Sequence, residues 1–237
     1  EISEEVFKIL KDVSDVIERV SIDEAYLDIT NTRFKDGIEA AKYIKFRVRK
    51  EIGLNISVGI SYNKFLAKLA SDWNKPNGIK VITKDMIPEV LMPLKISKVH
   101  GLGSRSVERF NNIGIYTIKD LYEMPKEIFL EYLGKSGYQI FERIRGIDNR
   151  EVVEDRDRKS YGKERTLRED TNDYEELLEY LDLFSKDIST YLERNNTKGK
   201  TLILKYKTSD FTNYTKSRTL THYISSYEEI KSVATEI

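Results

Sequence analysis

The feature that most constrains this sequence is a pair of adjacent acids, Asp23 and Glu24, set inside an apolar and largely β-branched run. Val16, Ile17, Val20 and Ile22 precede them, and Tyr26, Leu27 and Ile29 follow, a pattern that predicts two short strands meeting at a bend. Two carboxylates about 3 Å apart cannot both stay ionised cheaply, so the pair must titrate, turn out to solvent or hold a cation. A bend re-aims side chains that strict alternation would separate, which lets both acids face one way.

Composition narrows the choice of cation. The 237 residues contain no cysteine, which excludes a thiolate site, and two histidines, which leave little room for a histidine-built zinc site. A metal here would be held by oxygens, which suits magnesium, manganese or calcium. Charged residues make up 34% of the chain, and no apolar run approaches the length that spans a bilayer. No signal peptide or lipidation motif is visible, so the expected location is cytoplasmic.

The net charge is zero, but the charges are segregated. Residues 156–168 and 198–218 together carry twelve Lys and Arg against three acids, whereas 169–197 carries nine acids against Lys186 and Arg194. Basic strands backed by an acidic helix would give one positive face, and Lys205, Lys207 and Arg218 are its candidate DNA contacts.

Along the chain, the spacing predicts a helix near 3–11, strands around 15–21 and 25–30, and a helix from Asp36 to Ile52. A buried strand at Asn55–Ser61, a helix at Asn63–Trp73, the turn "NKPNG" and the strand "IKVI" complete an α+β unit over 1–84, with helices on one face of a small sheet. Residues 85–147 read as a compact helical domain whose segments, "MIPEVLMPL" among them, are broken by glycine and proline. The charged stretch 148–158 reads as a linker. Residues 159–237 predict a strand at Tyr161–Leu167, a helix at Tyr174–Arg194, strands at Thr201–Thr208 and Ser217–His222, and a helix opening at Ser226. A unit of that order wants one more strand, so the C-terminus is expected to be truncated, as is the N-terminus, which starts without methionine inside a helix.

Two further motifs carry chemistry. "HGLGSRSVERFNNIG" places Gly101 and Gly103 in a tight turn before a helix whose first turn holds Ser104 and Arg105. Free N–H groups at such a start suit a DNA phosphate, and the flanking "ISKVH" and "NNIGIYTIKDL" complete a helix-hairpin-helix pattern. In "SDWNKPNGIKVI", Lys75 stands before Pro76 on an extended rim where it can meet a phosphate.

"SIDEAYLDIT", "SVGISYNKFLAKLASDWNKPNGIKVI", "KVHGLGSRSVERFNNIGIYTIKDL" and "RKSYGKERTLRED", in this order, resemble a Y-family, lesion-bypass DNA polymerase of the bacterial polymerase IV type over essentially the whole chain. The resemblance implies an α+β multi-domain protein: a partial polymerase palm over 1–84, a helical thumb with helix-hairpin-helix over 85–147, a linker over 148–158, and an incomplete α/β little finger over 159–237. It implies that Asp23 and Glu24 bind two Mg2+ ions and that Lys75 contacts the incoming deoxynucleoside triphosphate. Gly101, Gly103, Ser104 and Arg105 match the thumb hairpin, and Lys163, Thr166 and Arg168 match positions facing the DNA backbone. Primer-template DNA is the implied partner, a sliding clamp a further one, and the protein is expected to be monomeric.

The family's palm also begins with a strand bearing a third metal-binding aspartate and an aromatic gate against ribonucleotides, followed by a fingers domain. These have no counterpart in this chain, so by itself it is expected to be inactive. A non-catalytic DNA-binding module is the alternative. A nucleotide cyclase is disfavoured, because cyclases place glycines directly before the acids where Ser21 and Ile22 stand here.

Overall fold

The computed structural model describes residues 1–154 and 158–237, so the predicted linker lies partly outside the described residues. The chain divides into two units, Glu1–Arg156 and Asp157–Ile237.

The first unit opens with helix α1 (Ile2–Lys11), which packs Phe7, Ile9 and Leu10 against helix α2 (Gly37–Ile52). Asp36 caps α2 by accepting from the amides of Ile38 and Glu39, and Gly53 ends it in the left-handed conformation. Between these helices, strands β1 (Ile17–Arg19) and β2 (Ala25–Leu27) form an antiparallel pair with Glu18 opposite Tyr26. Strand β3 (Val58–Ile60) pairs in parallel with β4 (Ile79–Val81) across helix α3 (Lys64–Ser71), whose N-cap is Asn63. The expected single small sheet is therefore two separate two-stranded pieces, because no ladder among the described residues joins β1–β2 to β3–β4. The strand predicted as buried is only half-buried. Gly59 is needed where β3 crosses α3, since a Cβ there would lie 2.0 Å from the Ala67 carbonyl oxygen.

One hydrophobic core runs from α3 (Phe65, Leu66, Leu69) into helices α4 (Ser104–Asn111), α5 (Ile118–Tyr122), α6 (Lys126–Leu133) and α7 (Gly137–Arg143). Phe110, Ile118, Phe129 and Ile140 are its inner residues. Thr117 and Asp120 start α5 with a reciprocal capping box. "MIPEVLMPL" starts at the last residue of a 3₁₀ turn (Lys84–Met86), contains the cis Ile87–Pro88 peptide and continues as turns, not as an α-helix. Proline removes the amide a helix there would use.

The first part of the stretch predicted as linker, residues 148–153, is docked on the first unit. Asp148 accepts from the Phe65 amide at the start of α3, Lys64 donates to the Glu151 carbonyl, and the Val153 amide donates to Glu18. Its charges looked solvated in sequence because their partners lie far away in the chain.

In the second unit, helix α8 (Tyr174–Arg194), capped by Asp173, packs on helix α9 (Tyr227–Glu236), capped by Ser226. α9 also packs on a long antiparallel pair, β5 (Gly199–Lys207) and β6 (Asn213–Ile224). The strand expected at Tyr161–Leu167 does not form. That segment instead runs along α8: Tyr161 stacks on Tyr191 at 3.6 Å between ring centroids, Lys163 pairs with Asp187 at 3.4 Å, and the Arg165 guanidinium lies 5.9 Å from the Tyr180 ring. Side-chain contacts to a helix have taken the place of a ladder.

Candidate functional site

The acid bend is built by the β1–β2 pair. The amides of Val20 and Ser21 both donate to the Glu24 carbonyl, so residues 21–23 bulge outward. Asp23 is exposed and accepts from the Ser21 hydroxyl at 2.5 Å. Glu24 turns the other way, towards α3, where its Oε1 lies 2.5 Å from Lys68 Nζ. The repulsion implied by two neighbouring acids is thus relieved by an ammonium on one and a hydroxyl on the other.

Helix α3 presents two lysines four residues apart to this hairpin. Lys64 pairs with Glu18 on β1, with side chains only 4% and 6% exposed, and its ammonium lies 5.1 Å from the Tyr26 ring centroid. One turn on, Lys68 pairs with Glu24 and also approaches Asp72 Oδ2 at 3.4 Å. Asp72, just past the end of α3, holds Lys75 at 2.5 Å through Oδ1. Burial alone would raise the Asp72 carboxyl, but the ammonium groups of Lys75 and Lys68 hold it below its ordinary range. Burial likewise opposes the charge of Lys68, and its two carboxylate partners raise it above its ordinary range.

The structure therefore connects Glu24 and Lys75, which are remote in sequence, through α3. The turn carrying Lys75 is itself anchored: Lys45 of α2 donates to the Ile56 carbonyl at 2.6 Å and to the Asn77 carbonyl at 2.8 Å. Lys68 and Asp72 were not singled out from the sequence. The available signal was "NKFLAKLASD", an otherwise apolar helix whose lysines need acid partners.

The glycine turn differs from a two-helix hairpin. A single 3₁₀ turn, Ile96–Lys98, precedes it, and Gly101 adopts φ +109. Gly103 is the N-cap of α4, and no side chain satisfies the first turn, so exposed Ser104 and Arg105 flank open N–H groups. Beneath the turn, buried Arg143 donates to the His100 carbonyl at 3.2 Å and to Gln139 at 3.3 Å.

In the second unit, the pairing of Lys205 with Thr215 and Lys207 with Asn213 puts both lysines on one face of the ribbon, with Thr201 and Thr219. Arg218, opposite Leu202, is on the other face and pairs with Glu236 of α9. Strand alternation thus separates Arg218 from the two lysines. Thr166 and Arg168 are exposed on the irregular segment, and Lys163 is paired with Asp187.

Asp23 and Glu24 are the residues the sequence offers as cation ligands. Among the described residues no group of three or more metal-ligating side chains occurs. Their hard carboxylate oxygens are of the type that suits a divalent cation of the magnesium class, and the Lys68 ammonium now occupies Glu24. Among the described residues no helix is long and apolar enough to cross a membrane.

Comparison with known proteins gives a consistent set of matches. Residues 1–72 match the impB/mucB/samB family, and residues 158–237 match the impB/mucB/samB family C-terminal domain. The chain is 42% identical over 231 residues to a DNA polymerase IV of Clostridium perfringens, covering 97% of this chain and 64% of that one. It is 39% identical to a DNA polymerase IV of Streptococcus pyogenes, covering 100% of this chain and 65% of that one. The chain thus spans about two thirds or slightly less of the length of these relatives. Among solved structures, a Y-family DNA polymerase chimera superposes with TM-score 0.83 at 28% identity, over 99% of this chain and 69% of that one. A DinB of Sulfolobus solfataricus gives 0.60 at 29% identity, again over 99% and 69%.

Proposed function

Since the chain belongs to the impB/mucB/samB family and is of the Y-family, DNA polymerase IV type, we propose that it carries much of the machinery of a DNA-directed DNA polymerase that copies damaged templates. Residues 1–84 are read as the later part of the palm, 85–147 as the thumb, 148–158 as a connection, and 159–237 as most of the little finger. The observation that carries this reading is the placement of an acid bend and a rim lysine along the C-terminal half of one helix, linked through Lys68 and Asp72.

Asp23 and Glu24 are the residues that would hold magnesium, two ions in the complete site. Bound there, the metal supplies activation of the primer 3′-hydroxyl and neutralisation of the triphosphate. The chain's own residues do the positioning. The outward bulge at 21–23 presents Asp23 to solvent, where substrate oxygens can complete the coordination. Lys75, on its anchored turn, offers a point charge to the triphosphate. The open start of α4 at Gly103–Arg105 takes a backbone phosphate of primer-template DNA, which fixes register without reading sequence. Lys205 and Lys207 make further phosphate contacts.

The test is primer extension by a full-length polymerase carrying this segment. Glu24→Gln should lower magnesium-dependent nucleotide addition at least about a hundredfold, the loss of roughly 3 kcal/mol of transition-state stabilisation. Near-normal extension by that variant would remove Glu24 from the metal site.

A second reading, of the chain alone as a DNA-binding module without chemistry, is favoured by the shared face of Lys205 and Lys207 and by the open start of α4. Binding to a sliding clamp, a monomeric state and a cytoplasmic location accompany the polymerase reading as proposals.

A further inference from the structure

We propose that Lys68 and Asp72 form an ion-pair relay that couples cation binding at Glu24 to the freedom of Lys75, which makes them positioning residues for the reaction. The inference rests on the polymerase reading of Glu24 and Lys75 and goes beyond it, since neither Lys68 nor Asp72 touches the reacting atoms in that reading.

Four charges of alternating sign stand in a row: Glu24, Lys68, Asp72, Lys75. Lys68 sits between two carboxylates but is not shared equally, at 2.5 Å from Glu24 and 3.4 Å from Asp72. Asp72 compensates by binding Lys75 at 2.5 Å through its other oxygen. In this arrangement Lys75 is held by a carboxylate although it is more than half exposed.

A divalent cation on Glu24 repels the ammonium beside it. Asp72 is the acceptor already within reach, because Lys68 and Asp72 are one helical turn apart. When Lys68 closes on Asp72, the carboxylate is neutralised locally and its hold on Lys75 weakens. Lys75 is then released towards an anion. Linkage makes the coupling reciprocal: an anion that draws Lys75 away from Asp72 draws Lys68 after it and opens Glu24 to the cation. The relay needs no change of backbone. It is confined to one helix, the residues just beyond its end and the adjoining acid bend.

Lys75 reactivity reads the relay directly. A full-length polymerase carrying this segment is acetylated with a water-soluble ester with and without Mn2+, and the rate at each lysine is followed by mass spectrometry, with exposed Lys8 as the reference. Mn2+ should speed acetylation of Lys75 several-fold relative to Lys8. Lys68→Met should abolish that dependence, and Lys68→Arg, which keeps the charge, should retain it. Asp72→Asn should label Lys75 at the fast rate with or without Mn2+. Paramagnetic broadening of the amides of residues 21–27 in the same samples reports whether the ion is at the bend. Broadening without any change at Lys75 overturns the relay and leaves the metal assignment standing. Absence of broadening overturns both. Unaltered Lys75 labelling in Asp72→Asn overturns the relay whatever the ion does.

Discussion

The Lys64 ammonium and the Glu18 carboxylate meet in the interior of the first unit, joining the first residue of α3 to the middle of β1. Lys64 also donates to the Glu151 carbonyl, and Glu18 accepts from the Val153 amide, so the pair is wrapped by the chain that follows α7. Breaking such a pair from one side leaves a charge buried. Lys64→Met should therefore cost about 3–5 kcal/mol of stability, while Lys64→Met combined with Glu18→Leu should recover much of that loss. Denaturant unfolding of the three proteins checks this, and a single variant within about 1 kcal/mol of the parent would contradict it.

Asp23 contrasts with this pair. It is exposed and, among the described residues, hydrogen-bonds with Ser21, so Asp23→Asn should change stability by no more than about 0.5 kcal/mol. A loss of several kcal/mol in thermal unfolding would make Asp23 a structural residue.

Asp148 gives the first unit an acid limit. Burial would raise its carboxyl, but the Arg150 guanidinium, bonded to both of its oxygens, and the Phe65 amide hold it below the ordinary value. The unfolded chain, with an aspartate pKa of about 3.9, then binds the proton first. This contribution is complete above about pH 4 and is lost as pH falls through the lower, folded value. Asp148→Asn should flatten the pH dependence of the melting temperature in that window and cost about 1–3 kcal/mol at pH 7. An unchanged acid limb would contradict the assignment.

The two glycines of the turn before α4 should respond differently. Gly101 has φ +109, and a Cβ there would lie 2.9 Å from Arg143 Nη1, so Gly101→Ala should cost about 1–3 kcal/mol. Gly103 has φ −73 and open space around it, so Gly103→Ala should leave the fold intact. Equal destabilisation by both would contradict the geometry.

In DNA binding, Lys205→Ala and Lys207→Ala should each lower the slope of log affinity against log salt by about 0.9, one phosphate apiece. Arg218→Ala, on the other face and paired with Glu236, should leave the slope unchanged. A salt titration by fluorescence anisotropy separates these outcomes.

The parts of the fold written in local chemistry were legible in the sequence. The helices expected to start at Asp36, Asn63, Tyr174 and Ser226 form there, with Asp36, Asn63, Asp173 and Ser226 as their caps, and the β-branched run around Asp23 does form a strand pair. What sequence reasoning missed depends on distant partners. The segment at 161–167 has strand-like residues, but a strand needs a ladder, and Tyr191 and Asp187 offered side-chain contacts instead. Lys68 was missed for a similar reason: its role exists only because α3 lies against the acid bend. The basic residues of β5 and β6 were legible as a group, but their division between two faces follows from a register that composition does not fix.

Calorimetric titration of Mn2+ into a full-length polymerase carrying this segment, bound to primed duplex and an unreactive triphosphate, tests the central claim most directly. Cation uptake that falls at least tenfold in affinity in both Asp23→Asn and Glu24→Gln is the predicted result. Uptake of equal affinity in all three proteins would contradict the account.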